Sequence, residues 1–193
     1  PMSQELLRLY HGIGVPVREC FGMTECSGIS VIPQENTFRA GQVGQAIPGI
    51  EIKLAPDGEI MLKGDSVFIG YYGSPEQTAA SFNDEGWLMT GDVGEFTDEG
   101  QLKIIDRKKD LIINAYGKNI APSEIENKLK FSPFIKEGIV VGDGRKYLSA
   151  LIQLELDNVS DWAQENRLAY TTYKSLAENS QVNKLIQVEV DGV

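Results

Sequence analysis

The sequence predicts an α+β chain in two parts, and three observations carry that expectation. Apolar residues alternate with polar ones from Ile50 to Leu62, the period of a strand with one buried face. Helical patterns lie towards the two ends, from Met2 to Tyr10 and beyond Val159. Between a β-rich first part and a mixed second part stands Asp106-Arg107-Lys108-Lys109-Asp110, an unbroken run of charge. The boundary is placed at this cluster, dividing the chain into residues 1–106 and 107–193.

Taken in order, the opening residues Met2 to Tyr10 read as a helix already under way, followed by a short strand over Val15 to Phe21. Residues 22–44 are rich in Gly, Ser, Thr and Pro and read as functional loop. Residues 45–105 read as a compact, mostly antiparallel β unit. Ile50, Ile52 and Leu54 turn at Pro56-Asp57-Gly58 into Ile60 and Leu62, and Val67-Phe68-Ile69 suggests a third strand. Ser74-Pro75-Glu76-Gln77 carries the signals of a helix start, with a capping serine, proline at the first helical position and a glutamine that completes a capping box. Strands around 88–96 and 101–105 are joined by Thr97-Asp98-Glu99-Gly100. Beyond the charged run the expectation is a strand at Leu111 to Ile113, a glycine loop, a helix from Pro122 to Lys130, a hairpin turning at Gly142-Asp143-Gly144, and two terminal helices.

Composition narrows the function classes. At 41% hydrophobic and 24% charged residues, the chain has the balance of a globular protein. A net charge of −10 argues against a nucleic-acid or anionic-lipid surface, which needs excess Lys and Arg. Local cations can still hold a small anion. Cys20 and Cys26 form no CxxC pair and His11 is the sole histidine, so neither a zinc site nor a disulfide framework is expected. No apolar run approaches the ~20 residues of a membrane span. A soluble cytoplasmic protein is the default expectation. Both termini read as cut from something longer.

Four segments could carry chemistry. In Phe21-Gly22-Met23-Thr24-Glu25, the ring of Phe21 could stack on a purine and Gly22 could admit a ligand close to the backbone. The Thr24 hydroxyl could bond a phosphate oxygen, and Glu25 offers the hard oxygen that Mg²⁺ prefers. In Thr90-Gly91-Asp92, at the end of a strand, Asp92 could accept both hydroxyls of a ribose. In the charged run, Arg107 could reach a ribose or a phosphate. The fourth, from Gly117 and Lys118 to Glu126, is a glycine loop opening a helix. Each has a bland alternative: a strand exit, a turn aspartate, a solvated charged loop, a plain strand–loop–helix joint. Gly142-Asp143-Gly144 reads as a turn, since no helix follows it as a dinucleotide fingerprint requires.

The order of these segments closely resembles the adenylate-forming superfamily of acyl-CoA synthetases, peptide-synthetase adenylation domains and luciferase. Gly58-Glu59-Ile60, Gly70-Tyr71-Tyr72 and Gly86-Trp87 fit the same pattern. The stretch from Lys109 to Pro122, one residue longer than usual, and that from Val141 to Leu148 resemble the long-chain fatty acyl-CoA synthetases in particular. The resemblance implies the end of a large adenylate-binding domain followed by a small mobile lid. It also implies a two-step reaction using ATP, Mg²⁺ and CoA on a fatty acid. Phe21, Gly22, Thr24, Asp92 and Arg107 would then hold ATP or AMP, with Glu25 on Mg²⁺. Lys109 would be the hinge, and Gly117 and Lys118 would line the CoA channel.

The resemblance is not uniform. The family's triphosphate loop would lie upstream of Pro1 and its adenylation lysine beyond Val193. Phe21 stands where tyrosine is commoner, and Tyr116 where a small residue is usual. A peptide-synthetase adenylation domain and a stand-alone nucleotide-binding module remain as alternatives. Oligomeric state and any peripheral membrane contact, made through regions outside these residues, stay open.

Overall fold

The computed structural model describes residues 4–34 and 37–193, and the chain divides into two compact units, Pro1–Lys109 and Asp110–Val193. It is an α+β chain with antiparallel sheets, as its alternation patterns predict. In the first unit, α1 (Gln4–Gly12) is followed by β1 (Phe21–Met23), a 3-10 turn (Thr24–Cys26), β2 (Gly28–Ile32) and β3 (Gln45–Ala46). These strands form one sheet in the order β1-β2-β3. Then come β4 (Ile50–Leu54), β5 (Glu59–Gly64), α2 (Pro75–Ala80), β6 (Leu88–Phe96) and β7 (Leu102–Arg107), whose strands make a four-stranded meander in sequence order.

One core serves both sheets. Phe21, Val31, Ile50, Ile60, Leu62, Leu88 and Leu102 are buried together, drawn from β1, β2, β4, β5, β6 and β7. The sheets are also stitched by backbone, since Val43 N–H donates to the Leu102 carbonyl at 2.8 Å and Leu102 N–H to the Gly44 carbonyl at 2.7 Å.

The second unit starts with a small hairpin, β8 (Ile112–Ile113) and β9 (Asn119–Ile120), followed by α3 (Pro122–Leu129). A longer hairpin, β10 (Ile135–Val141) and β11 (Ser149–Leu154), packs on α3, where Gly138 lets the strand approach Leu129. Three helices close the chain: α4 (Leu156–Glu165), α5 (Tyr173–Ala177) and α6 (Ser180–Asp191). Their core is Leu154, Val159, Ala163, Leu176 and Val182. The Thr172 hydroxyl accepts the Ser175 N–H and the Asn179 side chain accepts the Gln181 N–H, capping α5 and α6.

Several local expectations are corrected. Residues 15–20 are not a strand; β1 begins only at Phe21. The supposed loop of 22–44 contains β2, because Ile29 to Ile32 pairs with both β1 and β3. Val67-Phe68-Ile69 is not a strand: Ser27 Oγ donates to the Ser66 carbonyl and Phe68 N–H to the Glu25 carbonyl, tying this segment to the 3-10 turn instead of a ladder. Ser74 precedes α2 with Pro75 at its first turn, but its hydroxyl makes no capping bond and no capping box closes. The tail holds three helices rather than two. The first residues of the expected opening helix, Met2 and Ser3, lie outside the described residues. Among the described residues, no helix is long and apolar enough to cross a membrane.

Gly22 has a packing reason to be glycine. A Cβ there would sit 1.8 Å from the Gly28 carbonyl oxygen on the neighbouring strand, so the β1–β2 contact leaves no room for one. Overpacking typically costs ~1–3 kcal/mol. Gly22→Ala should therefore lower the midpoint of chemical unfolding without any ligand present. An unchanged midpoint would show that β1 and β2 can part without loss.

Candidate nucleotide site

The first cluster is the segment from Phe21 to Glu25. The Phe21 ring is only 8% exposed and belongs to the core, so it offers a purine an edge at most, not the open face expected from sequence. Its hydrophobic burial and its pairing with Val31 fix the start of the segment. Gly22, Met23 and Thr24 line an open depression together with Cys20, Gly28 and Ile29. Thr24 is exposed there, opening the 3-10 turn. That turn is closed from within: the buried Cys26 thiol donates to the Met23 carbonyl and its sulfur accepts the Met23 N–H at 3.3 Å.

Glu25 is held by Tyr71, whose hydroxyl donates to Glu25 Oε1 at 2.6 Å. This bond raises the Tyr71 pKa, because the carboxylate stabilises the protonated phenol. Tyr71 is itself placed by Thr78, which accepts the Tyr71 N–H at 2.8 Å, and by an edge-on contact with the Phe68 ring. One oxygen of Glu25, Oε1, is thus committed to Tyr71. No group of three potential metal-ligating side chains occurs among the described residues. A Mg²⁺ ion needs no such cage, since it commonly takes one or two carboxylates and completes its shell with phosphate and water. Glu25 fits that pattern.

The second cluster is built on a bulge in β6. Met89 pairs with Met61 and Val93 with Glu59, so Thr90, Gly91 and Asp92 stand opposite the single residue Ile60. A bulge re-aims side chains and frees backbone groups from the ladder. Gly91 takes φ +74°, in the left-handed region. Thr90 Oγ1 donates to the Ile60 carbonyl at 2.8 Å and accepts the Asp92 N–H at 3.2 Å. Asp92 does not end the strand, which runs on to Phe96; the bulge supplies the bend that the sequence suggested.

Asp92 and Arg107 are direct cross-strand partners, and Arg107 Nε lies 2.9 Å from Asp92 Oδ1. Asp92 is 14% exposed and Arg107 61%. Burial pushes the Asp92 carboxyl above its usual range; Arg107 opposes this, while Glu59 and Asp106 add to it. A half-buried carboxylate beside an exposed guanidinium is a fitting acceptor–donor pair for a vicinal diol.

Around this pair runs a further set of contacts that sequence reasoning missed. Glu59, 6% exposed, accepts the Gly91 N–H at 2.9 Å and meets Lys108 Nζ at 2.7 Å. Lys108 Nζ also lies 2.7 Å from Asp57, and its N–H donates to the Gly91 carbonyl at 2.8 Å. These acids raise the Lys108 pKa, and Lys108 lowers that of Asp57. The alternation that buries Ile60 and Leu62 would place Glu59 on the polar face, so only the resemblance carried by Gly58-Glu59-Ile60 singled it out in the sequence.

Lys109 is the last residue of the first unit, two beyond the end of β7. The expected boundary after residue 106 would instead cut β7 ahead of its final residue. Gly117 and Lys118 belong to the second unit, in the turn between β8 and β9. Asn114 Oδ1 accepts the N–H groups of Tyr116 and Lys118, both at 3.0 Å, and Gly117 takes φ +76° with open space around it. The Gly142-Asp143-Gly144 turn braces this hairpin, with Asp143 Oδ1 accepting the Ile113 N–H at 3.0 Å.

The chain is similar to known proteins over most of its length. The profile of the AMP-binding enzyme matches residues 1–72, and that of the AMP-binding enzyme C-terminal domain matches residues 109–189. The long-chain-fatty-acid–CoA ligase FadD15 of Mycobacterium bovis is 38% identical over 166 residues, covering 86% of this chain and 28% of the relative. The peroxisomal long chain acyl-CoA synthetase 7 of Arabidopsis thaliana is 34% identical over 206 residues, covering 99% of this chain and 29% of the relative. The chain therefore spans about three tenths of the length of the curated relatives it matches. Among solved structures, O-succinylbenzoate coenzyme A synthetase of Bacillus subtilis, in complex with ATP and magnesium ion, superposes with a TM-score of 0.70 at 33% identity over 91% of this chain and 39% of that one. With both profiles in the expected order and the fold in agreement, the chain belongs to the AMP-binding, adenylate-forming enzyme family.

Proposed function

We propose that this chain serves ATP-dependent activation of a fatty acid, with a long acyl chain as the favoured substrate, followed by transfer to CoA. In the first step a carboxylate oxygen attacks the α-phosphorus of ATP. The bond to the bridging oxygen breaks, and pyrophosphate leaves with its electrons. In the second, the CoA sulfur, having lost its proton, attacks the acyl carbonyl, and AMP departs. The observation that carries the reading is the Asp92–Arg107 pair at 2.9 Å, a fitting receptor for a ribose diol at the bulge between β5 and β6. The names of the relatives support the fatty acid and CoA.

In this reading Thr24 donates to the α-phosphate and Glu25, oriented by Tyr71, helps to hold Mg²⁺, which offsets phosphate charge. Asp92 and Arg107 hold the ribose, while Phe21 and Gly22 shape the purine's border. Lys109 is the pivot between the half-reactions, and the Gly117–Lys118 turn borders the path of the CoA arm. Exchange of one catalytic face for another around a retained adenylate is the purpose of such a pivot.

The direct test is to supply the whole protein carrying this chain with ATP, Mg²⁺, CoA and fatty acids of graded length. Pyrophosphate and acyl-CoA should appear in equal amounts, most rapidly with long chains. Release of pyrophosphate with no thioester would refute the transferase half of the reading.

Asp92→Ala should weaken AMP binding. A lost hydrogen bond to a charged acceptor is worth ~1.5–3 kcal/mol, or roughly ten- to a hundredfold in affinity. Calorimetric titration would read it, and an unaltered dissociation constant would return Asp92 to the role of a turn residue.

Gly117 separates a CoA ligase from a protein that only makes adenylate. Its positive φ penalises most side chains, but asparagine tolerates that region and the space around it is open. Gly117→Asn should therefore keep its melting temperature and its rate of adenylate formation while slowing transfer to CoA. Normal transfer by a folded variant would remove the turn from the CoA path.

A further inference from the structure

The bulge that presents Asp92 leaves Gly91 outside the ladder, and its N–H is taken by the Glu59 carboxylate while its carbonyl is taken by the backbone amide of Lys108, Glu59's ion-pair partner. Glu59 Oε1 accepts the Gly91 N–H at 2.9 Å, and the Lys108 N–H donates to the Gly91 carbonyl at 2.8 Å. The same Glu59 and Lys108 side chains meet at 2.7 Å. A closed ring results, from Glu59 to Gly91 to Lys108 and back. It adjoins the Asp92–Arg107 pair on both sides, because Gly91 precedes Asp92 and Lys108 follows Arg107.

We propose that Glu59 and Lys108 are positioning residues for the ribose-binding pair, setting the distance between Asp92 and Arg107 by clamping the bulge to the end of β7. This rests on the ribose reading of Asp92. Three features favour a positioning role over a mere surface ion pair. Glu59 is buried, and a buried carboxylate is costly unless every oxygen is used. Both of its oxygens are used, one on Gly91 and one on Lys108. Its partners are the neighbours of the two residues that would touch the ribose, so its loss moves those two first. Asp57 gives Lys108 a second anchor at 2.7 Å on the turn before β5, which holds the ammonium while Glu59 is engaged.

The clamp also marks where fixed chain ends. Lys108 is tied by its N–H and its ammonium, and the division between the units falls one residue later, after Lys109. A pivot at Lys109 would thus turn against an anchored neighbour.

The test is the preference for ribose in the whole protein, read as the ratio of affinities for AMP and for 2′,3′-dideoxyadenosine monophosphate. A defect of folding alone scales both affinities together, whereas displacement of Asp92 or Arg107 lowers the ratio. Glu59→Gln and Lys108→Met should each reduce it by about threefold to tenfold, since misplaced charged hydrogen bonds lose part of their strength. Lys108→Arg, which keeps the charge, should restore most of it. An unchanged ratio in folded Glu59→Gln and Lys108→Met overturns the positioning role; where the Glu59 variant does not fold, Lys108→Met decides. A wild-type protein with no preference for AMP overturns the ribose reading itself, and the clamp's purpose with it.

Discussion

A single irregularity of backbone organises the first unit's site. Between Met89 and Val93 the strand β6 carries three residues against one on β5, and any such bulge must find partners for groups that the ladder abandons. The solution here is side-chain chemistry. Thr90 returns its hydroxyl to the Ile60 carbonyl, Glu59 accepts from Gly91, and Lys108 supplies the N–H that the Gly91 carbonyl lacks. Only with these in place can Asp92 face Arg107 across β6 and β7, because the pair sits where the register itself shifts. Charge follows from the same geometry. Glu59 in the interior needs Lys108, and Lys108 in turn brings Asp57, so a glycine in a strand ends by dictating three charged positions.

The segment from Phe21 to Glu25 is fixed by different means. Its beginning is held by burial of Phe21, its middle by the glycine contact of Gly22 with Gly28, and its end by Tyr71 on Glu25. Residues 66–71 therefore act as a strap: Ser66 and Phe68 take backbone bonds with Ser27 and Glu25, and Tyr71 takes the carboxylate. A chain of net charge −10 can present a site for a polyanion on these terms. The Arg107 guanidinium is 61% exposed beside Asp92, so it can act on a ligand at contact distance, where a local charge outweighs a screened global one.

Much of this was legible in the sequence, and the limits have physical causes. The meander of β4 to β7 announced itself because its residues alternate in polarity, as at Ile50, Ile52 and Leu54, although β5 is buried on both faces from Glu59 to Leu62. The segment with β2 did not: its glycines and serines read as loop, although Val31 is fully buried. Conversely Val67-Phe68-Ile69 has the composition of a strand, but its backbone bonds go to the 3-10 turn, and no local propensity reveals a distant partner. Asp92 and Arg107 stood out as residue types at suggestive places, and their pairing is a matter of register that no single segment encodes. Glu59 shows the limit most plainly. It lies 32 residues from Gly91 and 49 from Lys108, and its role exists only once three strands have met.

The two halves of the charge run consequently do different work. Asp106, Arg107 and Lys108 belong to the end of β7 and its anchor, with the Asp106 carboxylate accepting the Arg107 N–H at 2.8 Å and Lys108 tied to Gly91, Asp57 and Glu59. Lys109 and Asp110 straddle the division between the units. A pivot requires this asymmetry. Were Lys108 free, rotation about the proposed pivot at Lys109 would be shared with Arg107 and would disturb its pairing with Asp92. With Lys108 fixed by three groups, the torsion of the proposed pivot would be confined to residues beyond it. In that proposal the dense charge between two strands has a reason beyond solvent exposure: the inner cation would hold still so that the next one could turn.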